Sequence, residues 1–130
     1  MKKKSDPRHQ KRKKAVQTLF SWAMKDQKSL PPNETARKIV AKINKIDRLI
    51  KIHASAWPIE QISPVDLSIL RLSIWEICFF KKTPLKVAID EAVELAKELG
   101  SETSGAFVNG VLGSVVKGEI QISKTKVSNN

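Results

Sequence analysis

Residues 64–80, PVDLSILRLSIWEICFF, are apolar on nearly every side of a helix. Leu67, Ile69, Leu70, Leu72, Ile74, Trp75, Ile77, Phe79 and Phe80 cover most directions around its axis. A helix without a polar face is stable only when other elements surround it, so this segment belongs at the centre of a bundle. Ser63 followed by Pro64 is its start signal: a capping serine, then proline where no backbone donor is needed. Arg71 and Glu76 are its only ionisable residues after the first turn, and each must reach the surface or a partner.

The rest of the chain supplies the surrounding helices. A first helix should run from Pro7 to about Lys25, with Ala15, Val16, Leu19, Phe20, Trp22 and Ala23 on one stripe. SLPPN, residues 29–33, breaks the pattern, and Asn33 is placed to cap a helix from Glu34 to about Ala54. Trp57–Pro58 ends that helix, because the residue before proline avoids helical geometry. Thr83–Pro84 opens another, with Leu85, Ala88, Ile89, Ala92, Val93, Ala96 and Leu99 inward. Asp90, Glu91, Glu94, Lys97 and Glu98 form its wet face. A last helix should span about Glu102 to Lys117, with a frayed tail at 119–130. Gly110 and Gly113 inside it suggest close approach of a neighbour, since each interior glycine costs about 1 kcal/mol relative to alanine. Strand signals are poor. The expected fold is an all-α, compact helical bundle in one domain spanning 1–130, with a basic N-terminal segment 1–10 whose composition suits a flexible arm.

Charge points to the partner. The formal net charge is +11, and residues 1–14, MKKKSDPRHQKRKK, hold eight basic residues against one acid, or +7 of it. A focused basic cluster predicts a polyanion. Lys2, Lys3, Lys4, Arg8, Lys11, Arg12, Lys13 and Lys14 are its members. Cations at a helix N-terminus oppose the helix dipole, so stability alone would not place them there. Metal binding by cysteine is excluded by count, since Cys78 is the only one, and it sits in an apolar run that suits a buried thiol. His9 and His53 belong to no ligand-spaced cluster. No apolar span long enough for a membrane is present, no signal peptide is evident and no disulfide pair exists, which makes the cytoplasm the expected compartment.

GSETSGAF, residues 100–107, has two glycines five positions apart, as a phosphate-binding loop would. Such a loop needs lysine and a hydroxyl residue after the second glycine, and a strand before the first. Gly105 is followed by Ala106 and Phe107, and the preceding segment reads as a helix. The glycine at 100 is instead expected to end a helix in the left-handed conformation, with Ser101 capping the next. No catalytic constellation or cofactor motif is present, so the expectation is a binding protein and not an enzyme.

Three segments resemble the NusB family of bacterial transcription antitermination factors: KRKKAVQTLFSWA (11–23), WPIEQISPVDLSILRLSIWEI (57–77) and PLKVAIDEAVELAKELGSETSGAFVNGVL (84–112). The resemblance implies two packed helical halves and no cofactor. It implies binding of a short single-stranded boxA-type RNA, pairing with the ribosomal protein NusE, and a place in the RNA polymerase antitermination complex, as monomer or homodimer. The family's RNA surface carries over to Arg8, Lys11, Arg12, Lys13 and Lys14, with Phe20 where many members have tyrosine. Its partner surface carries over to Glu76, with Arg71 beside it on the same helix. The N-terminus is lysine-rich where the family favours arginine, and lysine lacks the planar fork used for bidentate contacts. Two alternatives accompany this reading: a domain related to that of RNA cytosine methyltransferases, and a general ribosomal-RNA-binding or ribosome-biogenesis factor.

Overall fold

The computed structural model describes residues 6–128, with side chains described as far as residue 122. Six α-helices are found among the described residues: α1 (Pro7–Met24), α2 (Glu34–Val40), α3 (Ile43–His53), α4 (Pro64–Trp75), α5 (Leu85–Leu99) and α6 (Ser104–Ser128). A short 3-10 turn, Ile59–Gln61, precedes α4, and a π-helical turn, Glu76–Phe80, ends it.

The all-round apolar helix takes the central place its sequence demands. α4 packs against α1, α2, α3 and α5, and also touches α6. Ile69, Leu70, Leu72 and Ile74 are buried on it. α1 and α2 form one flank, the α5–α6 hairpin the other, and α3 spans α4 and α6. Leu19, Ile39, Ile46, Ile50, Leu95 and Leu112 complete the core from the five outer helices.

Local signals explain most boundaries. Asp6 caps α1, its carboxylate accepting from the Arg8 amide at 2.8 Å, and Pro7 fills the first turn. Asn33 caps α2 by accepting from the Ala36 amide at 2.9 Å. Pro64 opens α4 as expected, but the Ser63 hydroxyl makes no capping bond. At α5 the proline is displaced by one: Pro84 is the cap residue and Leu85 the first helical one.

Five expectations are corrected. The single helix expected over 34–54 is two, because the chain turns at Ala41–Lys42, where the Lys42 amide bonds three residues back to Ile39. Gly100 is not left-handed; its backbone is extended (φ −99°, ψ −160°). Glycine is required there by space, since a Cβ would lie 2.4 Å from Ser104 Oγ and 2.8 Å from the Ala96 carbonyl. Ser101 does not cap the last helix either. That helix begins at Ser104, whose hydroxyl reaches back to accept from the Ser101 amide at 2.9 Å. Gly110 and Gly113 face open space, and the close approach occurs instead at Gly118, where a Cβ would stand 3.1 Å from the His53 ring. The helix expected to stop near Lys117 continues to Ser128.

Candidate nucleic-acid interface

The basic cluster divides into two groups once α1 is folded. His9, Arg12 and Lys13 turn inward. Arg12 Nε donates to Glu76 Oε1 at 2.8 Å, with both side chains largely shielded. His9 lies between α1 and α5, its Nδ1 2.9 Å from Glu91 Oε2 and its Nε2 2.8 Å from Glu98 Oε2. Lys13 Nζ donates to the other Glu98 oxygen at 2.6 Å. A histidine facing two carboxylates can satisfy both only as imidazolium, since neutral imidazole has one N–H. The bond to Glu91 raises the His9 pKa against the opposing effect of burial, and Glu98 adds to it. Lys13, followed by His9, holds the Glu98 carboxyl below its ordinary range.

Arg8, Lys11 and Lys14 point outward. The Arg8 side chain is 81% exposed and is paired across 3.3 Å to Asp6, a surface contact of little energetic weight. That pairing lowers the Asp6 pKa and raises that of Arg8. Lys11 and Lys14 are exposed and form no ion pair with any described residue.

Arg8 and Lys11 form one edge of a recess of about 330 Å³ between α1, α2 and the end of α4. Lys38 of α2 adds a third exposed cation, and Trp75 and Phe80 supply an aromatic wall. The two rings are stacked, with centroids 5.0 Å apart and planes inclined by 23°. Residues five apart in an α-helix are separated by about 140° around the axis and would not meet. The π turn closes this gap: the Lys81 amide bonds to the Glu76 carbonyl five residues back at 3.0 Å, and Lys81 adopts a left-handed φ of 59° that ends the helix. Lys82 Nζ lies 5.6 Å from the Phe80 centroid, a cation–π contact at the rim. The recess thus combines exposed cations, a partly exposed aromatic wall and the Arg12–Glu76 pair. Phosphate attraction and base stacking are the two things such a surface does well.

The residues singled out in the sequence are therefore distributed. Arg8, Lys11 and Arg12 line this recess together with Glu76. Lys14 lines a different groove further along α1. Lys13 is held against α5, and the partly exposed Phe20 is in neither cavity. Lys2, Lys3 and Lys4 lie outside the described residues. Arg71 is buried and donates through Nε and Nη2 to Asp47 of α3, at 3.0 and 2.9 Å. Its guanidinium also sits 5.9 Å from the Trp22 ring centroid. Arg71 and Glu76, the two charged residues after the first turn of the central segment, thus each reach a partner inside the fold. Cys78 is half-buried, and burial pushes its thiol up to about 11.

His9, Glu91, Lys38 and the aromatic pair were not anticipated. Glu91 is corrected most sharply: placed on the wet face by its charge, it is 1% exposed. The signal was present in its spacing, three residues after Ala88 and four before Leu95, both of them core positions. Glu98, one heptad later, falls on the same side.

A family model described as the NusB family matches residues 32–117. The chain belongs to the NusB family. A transcription antitermination protein NusB of Dehalococcoides mccartyi is 48% identical over 88 residues, covering 68% of this chain and 62% of that relative. One from Acetivibrio thermocellus is 53% identical over 72 residues, covering 55% of this chain and 50% of the relative. The matched segment thus spans about half to three-fifths of these relatives. Among solved structures, T. maritima NusB superposes with a TM-score of 0.76 at 32% identity, covering 90% of this chain and 93% of that one. NusB from Aquifex aeolicus gives 0.72 at 27% identity, covering 89% and 91%. The NusB fold therefore extends over nearly the whole chain, including α1, which the family model does not reach.

Proposed function

We propose that this NusB-family chain is an RNA-binding transcription antitermination factor. It acts by binding, without catalysis, on a single-stranded boxA-type element in nascent, chiefly ribosomal, transcripts. The observation that carries the reading is the recess where Arg8, Lys11 and Lys38 surround the stacked Trp75–Phe80 wall. Cations draw the phosphate backbone in, and an aromatic face offers sequence-tolerant stacking to an unstacked base. Lys2, Lys3 and Lys4 extend the same charge along the chain and are proposed to add phosphate contacts. Arg12 and Lys13 support the surface by fixing α1 to its neighbours.

The family also suggests a protein partner, the ribosomal protein NusE, and a place in the RNA polymerase antitermination complex, in the cytoplasm. No helix among the described residues is long and apolar enough to cross a membrane. Glu76 is proposed to act at the partner surface through the charge it shares with Arg12, with Arg71 keeping the central helix in register from below.

Binding of boxA-type RNA, scrambled RNA and duplex DNA at one salt concentration tests the reading. Preference for the boxA-type strand, with binding weakened when Arg8 and Lys11 are both replaced by alanine, is the expected result. Equal affinity for duplex DNA would sink it.

A further inference from the structure

A second groove, larger than the aromatic recess, is found among the described residues. It lies along the second half of α1, where the connection to α2 folds back beside the helix and encloses about 670 Å³. Its α1 side is built from Lys14, Thr18, Ser21 and Lys25. Together with Lys11 these occupy steps of three or four residues, so they form one stripe about 21 Å long. The opposite side sets Leu30, which is 69% exposed, the buried Pro31 and the exposed Pro32 beside the polar Asp26, Gln27 and Ser29. Trp22 also lines the groove; it is 8% exposed, and its buried Nε1–H has no acceptor among the described residues. A buried donor without a partner is costly and rare in a native fold.

The groove is preformed. Gln27 holds a left-handed turn (φ 59°) and donates to the Ala23 carbonyl. Asp26, the one acid in the lining, accepts from the Lys28 amide at 3.0 Å. Arg37 of α2 donates to the Pro31 and Pro32 carbonyls at 3.3 and 2.9 Å. A wall fixed in this way needs little ordering when a ligand arrives.

From these features we infer that the groove is a second single-stranded RNA subsite, continuous with the first through Lys11 and Lys14. Lys14 and Lys25 hold phosphates, a base lies against Leu30 and Pro32, and a small shift of the Trp22 ring lets a base or phosphate acceptor satisfy its Nε1–H. The inference rests on the proposed function and lengthens its RNA footprint past the boxA-type element on one side.

The test uses an RNA carrying the boxA-type element and the same RNA extended by a uridine tract, first at one end and then at the other. Extension at one end should tighten binding to the unmodified protein about tenfold, in line with one or two added phosphate and stacking contacts. Trp22→Phe, which keeps a ring but removes the donor, and Lys25→Gln, an exposed change that leaves packing intact, should each remove most of that gain. Both should leave affinity for the unextended RNA unchanged. In an indole N–H spectrum the Trp22 resonance should move with the extended RNA and stay fixed with the unextended one. No gain from either extension, or a gain kept by both variants, overturns the subsite while leaving the proposed function standing. A Trp22 resonance that answers to a protein partner and to neither RNA also overturns it. Failure of every RNA to bind overturns both.

Discussion

The inner and outer sides of α1 carry the same kind of residue and use it in opposite ways. On the inner side His9, Arg12 and Lys13 end on Glu91, Glu76 and Glu98, carboxylates supplied by α5 and by the turn after α4. On the outer side Arg8, Lys11 and Lys14 face water. The inner cations are structural: a charge withdrawn from water is tolerable only beside its counter-charge, and removing one partner strands the other. The outer ones cost little to hold and remain available to an incoming phosphate. Basic density in a sequence therefore overstates the charge that a ligand meets. The inner ion pairs also explain how a helix start so rich in cations, with an unfavourable dipole, stays docked.

The comparison breaks first if the inner side can be cut without loss. Glu76→Ala leaves Arg12 shielded and unpaired, and should cost about 3 kcal/mol of unfolding free energy, read from the urea midpoint. Adding Arg12→Met to it should return most of that loss. The outer side is next. Arg8→Ala with Lys11→Ala should weaken binding of single-stranded RNA about tenfold at low salt. The slope of log affinity against log salt should fall by about 1.4, two contacts at roughly 0.7 each. Stability should stay within about 0.5 kcal/mol. A stability loss equal to that of Glu76→Ala would erase the division between the two sides.

Acidity probes the His9 contact. Its pKa is raised in the fold, so its contribution is fully present below the unfolded value of 6.5 and is lost as pH rises through the folded value. Glu98 is lowered, so its contribution is present above 4.5 and is lost as pH falls through its folded value. The junction between α1 and α5 is strongest between these limits. Hydrogen exchange in the first turns of α1 should therefore quicken beyond the intrinsic rate as pH rises above 6.5, and His9→Gln should remove that excess. The smallest effect belongs to Lys13→Ala, at about 0.5 kcal/mol, because its partly exposed bond to Glu98 is screened by water.

Helix existence was legible because apolar spacing and proline are local signals; four of the six helices described, α1, α2, α4 and α5, begin where Pro7, Asn33, Pro64 and Pro84 announce them. What sequence could not supply was pairing across the fold. Glu91 reads as solvent-facing until a histidine 82 positions away is brought beside it. The glycines misled for a related reason. Their need for space depends on which neighbour approaches, and at Gly110 and Gly113 none does, whereas Gly100 is crowded by its own chain. The split at Ala41–Lys42 was hidden because the apolar spacing runs unbroken through it. The aromatic wall depends on a π turn that no residue type in EICFF announces.

That turn has a consequence for how the site tolerates change. Trp75 and Phe80 meet because their backbone holds one residue more than an α-helical turn would. Conservative replacement of either ring leaves the arrangement available. Deletion of a single residue between them would leave the rings four apart in an ordinary α-helical turn, about 40° round the axis, and the wall would survive, whereas an α-helical turn at the present length would rotate Phe80, Lys81 and Lys82 by about 100° and disperse it. Segment length and turn type are therefore tied: one residue fewer suits an α turn, and the present length needs the π turn.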